Sequence, residues 1–284
     1  MLSSLILHNR SLAVFVLCFD ETVEKVLNAW FGSRITTISL QRLHRFEPRL
    51  PDLRAKRSAW EFYATHKAPL VAYVMSECGP FEWTAVIDAD TAFFGSLSLV
   101  LDEIGAGSIG LSPHRFPPGE EDQEKYGKFN AGFICFRDDP ASRLCLSDWR
   151  EDCITWCRRK PLSDGRFMNQ GYLSRWPERY PNVVIIRHPG VNLAPWNLRS
   201  HRIEFTGGVP KVDGYPLIFY HYSGLLRDRK GRWRSMHGSD FETIPGLSAK
   251  LYAPYLRAVE AVRQKILDLY GLSGTGSVRF KAGR

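Results

Sequence analysis

The sequence predicts an α/β fold, and three observations predict it. An apolar run over Trp83–Ile87 stops at Asp88-Ala89-Asp90, as a strand does where it emerges into a crevice. Along most of the chain, β-prone runs alternate with segments of helical period. The length, 284 residues, suits one large α/β domain with a substantial core.

Residues 11–19 read as a strand closed by Asp20, and 21–31 as a helix through Val23, Val26, Leu27 and Trp30. A second β-prone run, 35–40, leads through a basic, proline-punctuated link to Asp52. Residues 53–79 form a long helical region that starts with Arg54, Lys56 and Arg57. Helix dipole and guanidinium would add there toward a phosphate, and a surface basic cluster is the plainer alternative. A short helix (97–104) and a strand (108–112) follow the acidic triplet, then His114 and a polar loop, 117–128, with the character of a lid.

The next strand is Phe129-Asn130-Ala131-Gly132-Phe133-Ile134-Cys135-Phe136. At its entry Asn130 offers donor and acceptor to a sugar hydroxyl, and Gly132 leaves room for a ligand against the backbone. A turn before a strand would need the same residues. Residues 141–159 are an amphipathic helix rich in tryptophan and cysteine, Asp164-Gly165 is a turn, and Asn169-Gln170 opens a short helix. A strand at 183–186 and an irregular, amide-bearing segment at 189–198 come before the last strand, 217–220, which ends in His221-Tyr222-Ser223-Gly224. The domain divides as 1–248, a packing helix at 249–271, and a basic flexible tail at 272–284.

Composition excludes several classes. No apolar run approaches the ~20 residues of a membrane span, and the N-terminus shows no signal-peptide pattern. The net charge of +8 favours anionic company, either nucleotide phosphates or an anionic membrane surface touched peripherally. No nucleic-acid module accompanies it, so nucleic acid is not an expected partner. Six cysteines in a chain of this length do not make a secreted disulfide framework, and Cys153 and Cys157 lack further zinc ligands at the right spacing. A cytoplasmic protein with reduced cysteines is expected. Nothing in the sequence specifies an oligomeric state.

The chemistry centres on the triplet. Along a strand the period of two puts Asp88 and Asp90 on one side, where their charges repel unless a cation lies between them. A hard divalent metal carrying substrate phosphates is the usual occupant. An Asp-x-Asp triplet also arises by chance about once in a chain this long, so its context must carry the case.

That context resembles a family. Asp88-Ala89-Asp90, Phe129-Asn130-Ala131-Gly132-Phe133, the pair Asn169-Gln170 and a strand closing on His221 occur in the order seen in nucleotide-diphospho-sugar glycosyltransferases of the GT-A fold, on the glycogenin and galactosyltransferase side. Arg57-Ser58 with Glu61 and Thr65, Asn192-Leu193-Ala194-Pro195-Trp196-Asn197-Leu198 and Leu217-Ile218-Phe219-Tyr220-His221 resemble a group of bacterial glycosyltransferases, over roughly residues 4–260.

The resemblance implies a Rossmann-like GT-A domain, with a mixed, mostly parallel sheet flanked by helices. It implies metal ligation by Asp88, Asp90 and His221, with Mn²⁺ or Mg²⁺ as cofactor, and a donor site formed by Arg57, Asp88, Ala89, Asn130, Ala131, Gly132 and Gly224. Asn169, Gln170 and Asp164 are the implied catalytic group, and a basic residue such as Lys230 or Arg232 would assist the departing diphosphate. The implied reaction moves a sugar, with retention, from a UDP-sugar to a glycan or other small acceptor at the inner face of the cell membrane.

Two departures stand out. Relatives have a first strand before the helix that here begins the chain, and its lack would leave an apolar edge beside residues 12–17. They also carry Asp where Asn169 stands, and an amide cannot act as a base. A catalytically inactive sugar-nucleotide-binding relative and a metal-dependent phosphoesterase are the alternative readings.

Overall fold

The structure, a computed structural model, describes residues 1–205, 207–228, 230–237 and 244–270. The strands are β1 (Phe15–Cys18), β2 (Thr36–Ser39), β3 (Trp83–Ile87), β4 (Thr91–Phe93), β5 (Ile109–Pro113), β6 (Phe129–Arg137) and β7 (Val183–Ile185), then β8 (Ile203–Glu204), β9 (Lys211–Val212), β10 (Tyr215–Pro216), β11 (Phe219–His221), β12 (Leu225–Arg227) and β13 (Trp233–Ser235). The α-helices are α1 (Leu2–His8), α2 (Glu21–Phe31), α3 (Leu40–Phe46), α4 (Ala59–Glu77), α5 (Ser98–Ile104), α6 (Pro140–Thr155), α7 (Trp176–Arg179) and α8 (Ala253–Tyr270). Helix starts follow ordinary capping chemistry. Asp20, Ser39 and Asp139 accept backbone N–H bonds at α2, α3 and α6, and Ser58 with Glu61 forms a reciprocal capping box at α4.

The main sheet has the order β3-β6-β5-β7. Pairings β3/β6 and β5/β6 are antiparallel and β5/β7 is parallel, so β3, β5 and β7 run one way and β6 alone is reversed. A separate parallel pair, β1/β2, lies beside α4, with Ile38 packed among Tyr73 and Val74. Among the described residues β1 pairs only with β2 and β3 only with β6. Ala85 in the middle of β3 is exposed.

Helices cover both faces of the main sheet. On one, Ala68, Val71 and Met75 of α4 and Leu146 and Trp149 of α6 pack on Val86, Ile134 and Phe136. On the other, Leu5 of α1 and Val100 and Ile104 of α5 meet Phe133 and Cys135. Strand β6 thus alternates faces with period two, but Phe129 and Ala131 share the face of Ile134 and Phe136. The alternation breaks at Asn130–Gly132, next to the register shift between Leu111 and Pro113 on β5. A bulge at such a point re-aims side chains.

The C-terminal helix meets the domain through its first turns. Leu251 and Tyr252, in a π-helical turn before α8, are buried, and Tyr255 stacks on Tyr222 at 3.6 Å. No residue of α8 is itself buried: Val259, Ile266 and Leu267 are half-buried, and Glu260 accepts from Arg227 and the Trp233 indole. Residues 271–284, which include the expected tail, lie outside the described residues. All six cysteines are free and five are buried. Among the described residues no helix is long and apolar enough to cross a membrane.

One buried group gives the fold a defined acid sensitivity. His66 is 1% exposed, bonds the Phe62 carbonyl through Nδ1 at 2.7 Å and lies 3.1 Å from the His44 ring. Burial pushes its pKa from 6.5 down to about 4. Between those values the unfolded chain binds the extra proton, so stability is lost as pH falls through that window, by up to about 3 kcal/mol. Unfolding midpoints measured from pH 7 to pH 4 should fall, and His66→Gln should flatten the slope. An unchanged slope would assign the acid sensitivity to other groups.

Candidate active site

The site forms where two distant strands meet. Asp88 and Asp90 follow β3, and β4 starts one residue later. Strand β4 pairs antiparallel with β11, setting Thr91 opposite His221. The Tyr222 amide donates to the Asp90 carbonyl at 2.7 Å, and the Asp88 amide to the Gly132 carbonyl at 2.9 Å. These bonds bring the end of β3, the bulge of β6 and the end of β11 together.

The side chains converge accordingly. His221 Nε2 lies 3.0 Å from Asp90 Oδ1 and 3.9 Å from Asp88 Oδ2. Ligand atoms of Asp88, Asp90 and His221 all fall within 4.8 Å of one another. His221 is buried, whereas the Asp90 side chain is 46% exposed, so the cluster opens on one side. Burial works to raise the Asp90 carboxyl, but the His221 ring, with Lys67 adding to it, holds it below the usual carboxylate range.

Lys67 is the residue the sequence reading missed. From the middle of α4 its Nζ pairs with Asp88 Oδ1 and donates to the Ala131 carbonyl at 3.1 Å. Arg57, the expected cation, is engaged elsewhere. Its buried guanidinium donates to the Cys153 carbonyl at 2.7 Å, to the Ile154 carbonyl and to Thr65, which satisfies the open carbonyls at the end of α6. That corrects the expectation that Arg57 faces the donor. A lysine lying mid-helix between Ala64 and Ala68 gives no motif signal, and only the helix face aims it at the carboxylates.

Gly132 is needed for a different reason from the one expected. A Cβ there would lie 2.6 Å from His221 Cε1 and 2.5 Å from Asn130 Oδ1. The space over Gly132 therefore holds the His221 imidazole. Asn130 is 7% exposed and saturated by protein groups. Its Oδ1 accepts from the Gly132 amide at 2.9 Å, and its Nδ2 faces His114 Nε2 at 3.1 Å and Gln170 Oε1 at 3.4 Å. Burial pushes His114 down to about 4, which keeps its ring a neutral acceptor.

Gln170 donates in turn to the Tyr126 carbonyl at 2.8 Å, tying the expected lid to the amide chain. The Trp149 indole anchors the Asn169 carbonyl at 2.8 Å, while the buried Asn169 Nδ2 has no hydrogen-bond partner among the described residues. Ala89 is exposed between the two carboxylates. Gly224 adopts φ +74 in the turn after β11, and a Cβ there would meet the His237 ring. His237 stacks edgewise on Trp196, which does the same against His221. The structure does not bring Asp164 into the cluster. In an exposed turn, its carboxylate pairs with Arg166 at 2.7 Å. Lys230 and Arg232 are likewise organised around Asp228 rather than the cluster.

The chain is 32% identical over 219 residues to the uncharacterized protein YfnF of Bacillus subtilis strain 168, covering 74% of this chain and 71% of the relative. This chain belongs to the YfnF family. YfnD of the same organism is 28% identical over 227 residues, covering 79% and 72%. No protein-family model matches the chain. An active-site mutant of LgtC superposes on this YfnF-family chain with a TM-score of 0.51 at 14% identity, covering 87% of this chain and 89% of the other. The galactosyltransferase LgtC in complex with donor and acceptor sugar analogues gives 0.49 at 17% identity, covering 81% and 85%. The fold is that of the GT-A glycosyltransferases.

Lys67→Met should lower the melting temperature by roughly 2–6 °C, because two neighbouring carboxylates then share only His221. Mn²⁺ should raise the melting temperature of the variant more than that of the wild type. Identical melting curves would rank Lys67–Asp88 with solvent-screened surface pairs.

Proposed function

We propose that this chain is a metal-dependent glycosyltransferase that moves a sugar from a UDP-sugar to a glycan acceptor, with retention of configuration. The observation that carries this reading is the Asp88, Asp90 and His221 cluster, set beside Lys67 at the open end of a GT-A sheet. The galactosyltransferase LgtC is known in complex with donor and acceptor sugar analogues. Two carboxylates and an imidazole suit a divalent ion, and the mixed oxygen and nitrogen set favours Mn²⁺, with Mg²⁺ second. Asp88, Asp90 and His221 would hold it, and it would supply positive charge for the departing diphosphate.

This chain's own groups do the remaining work. Lys67 adds a fixed positive charge at the same place. The unpartnered Asn169 amide supports a hydroxyl-bearing ligand, since a buried NH₂ group is seldom left without an acceptor. Asn130 and Gln170 hold each other through a bond of 3.4 Å and fix the polar wall beside His114. Ala89, Ala131 and Gly224 contribute backbone rather than side-chain chemistry to the donor pocket. Inversion would require a general base, and Asp164, the candidate carboxylate, is held by Arg166 while Asn169 cannot serve, which supports retention. Buried free cysteines and a basic surface fit a cytoplasmic enzyme working against an anionic membrane face.

Calorimetric titration with UDP, with and without Mn²⁺, tests the reading. UDP should bind only with the metal, and Asp90→Asn should weaken it more than tenfold. Metal-independent binding, or an unaffected variant, would overturn it. Metal-dependent UDP binding without turnover across a panel of UDP-sugars would indicate an inactive relative, and cleavage of simple phosphoesters a phosphoesterase.

A further inference from the structure

The cluster has a directed hydrogen-bond chain behind it, and the direction is set by backbone groups that can play only one role. The Gly132 amide donates to one end of the Asn130 side chain, so that end is Oδ1. The atom of Asn192 3.2 Å from this oxygen must then be a donor, which makes it Nδ2, and the same Nδ2 reaches Ser112 Oγ at 3.1 Å. The opposite end of Asn192 is consequently its oxygen, 3.1 Å from His221 Nδ1. An amide oxygen facing a ring nitrogen at that distance requires a proton on the nitrogen. The His221 ring therefore carries a hydrogen on Nδ1, and Nε2 is the nitrogen left to offer a lone pair toward Asp88 and Asp90. Two lone pairs cannot face each other at 3.0 Å without a proton or a cation between them.

Asn192 is also held rigidly. It is fully buried, with φ +60, a left-handed conformation that asparagine tolerates better than most residues. The Asn197 side chain donates to the Asn192 carbonyl at 3.2 Å. The His221 amide donates to the Leu193 carbonyl at 2.8 Å, so the two residues lie on neighbouring backbones in fixed register.

We infer that Asn192 is the positioning residue that commits His221 to its Nδ1–H tautomer and so turns its Nε2 into a ligand for a divalent cation. The inference rests on the metal reading above and adds the group that orients the ligand. A ligating histidine is typically fixed through its second nitrogen, and loss of that partner costs roughly 10–100-fold in metal affinity.

The test uses Mn²⁺ alone as probe, with calorimetry on the wild type, Asn192→Ala, Asn192→Asp and Asp90→Asn. Asn192→Ala should lose roughly 10–100-fold in Mn²⁺ affinity. Asn192→Asp keeps an acceptor opposite Nδ1 and should stay within a few fold of the wild type, although both variants melt at lower temperature. A role in packing alone would make Asp, with its added buried charge, at least as damaging as Ala. Nitrogen-15 NMR of the Mg²⁺-loaded protein, with His221→Gln for assignment, gives a second readout. The metal-loaded wild-type ring should carry its hydrogen on Nδ1 alone, and Asn192→Ala should lose that form at the same Mg²⁺ concentration. A metal-loaded wild-type ring that keeps its proton on Nε2 would overturn the inference. So would equal Mn²⁺ affinity in the wild type and Asn192→Ala alongside loss in Asp90→Asn, and in that case the metal reading survives. A wild type that does not bind Mn²⁺ removes both.

Discussion

The pairing of β4 with β11 is the constraint on which the rest of the site depends. It joins segments about 130 residues apart and sets His221 opposite Thr91, one residue from Asp90. Slippage by a single residue would turn every side chain of β11 to the other face. Packing on both faces prevents this. Phe93 and Phe219 pack together in the core beneath α5, while Ala92 and Tyr220 face the opposite core with Leu217, Tyr222 and Tyr252. The short strand is thus specified by burial on both sides rather than by its length. The imidazole then inherits its position from apolar packing.

Much of this was legible in the sequence. The helix over Glu21–Phe31 and the strands at 83–87 and 129–137 follow from periodicity and capping residues, and the structure has them close to the predicted places. The acidic pair was legible as a candidate through its context, the apolar run before it and the ordered segments after it, and the structure brings both carboxylates to His221. Strand β4 was not, since Thr91-Ala92-Phe93 is too short to show a period. Its partner β11 decides its identity, and that pairing is a tertiary fact.

The misread residues show where such reasoning stops. An arginine before a helix looks the same whether it faces a phosphate or closes the carboxyl end of a neighbouring helix, and Arg57 does the second. Lys67 was hidden because its meaning lies in the side of α4 it occupies. At Gly132 the missing Cβ makes room for His221, a neighbour that spacing along the chain does not name. Each case turns on which group lies across a gap of 3–4 Å, and spacing along one chain does not encode that.

The electrostatics of the cluster explain why amides surround it. Two carboxylates meet one ammonium group at the cluster, so acidic groups outnumber basic ones beside His221. A divalent cation reverses that excess, and a positive site attracts a diphosphate. Further charged side chains behind His221 would alter this balance and would need costly burial. Asn130, Asn192 and Gln170 carry direction without charge: each donates at one end and accepts at the other. The chain therefore fixes which nitrogen of His221 faces the carboxylates while leaving their charge untouched, and the Gly132 amide and the Tyr126 carbonyl hold its polarity from the backbone. Replacing any member by an aliphatic residue of similar size would keep the volume and lose the direction. At this site direction is the property that decides what His221 can bind.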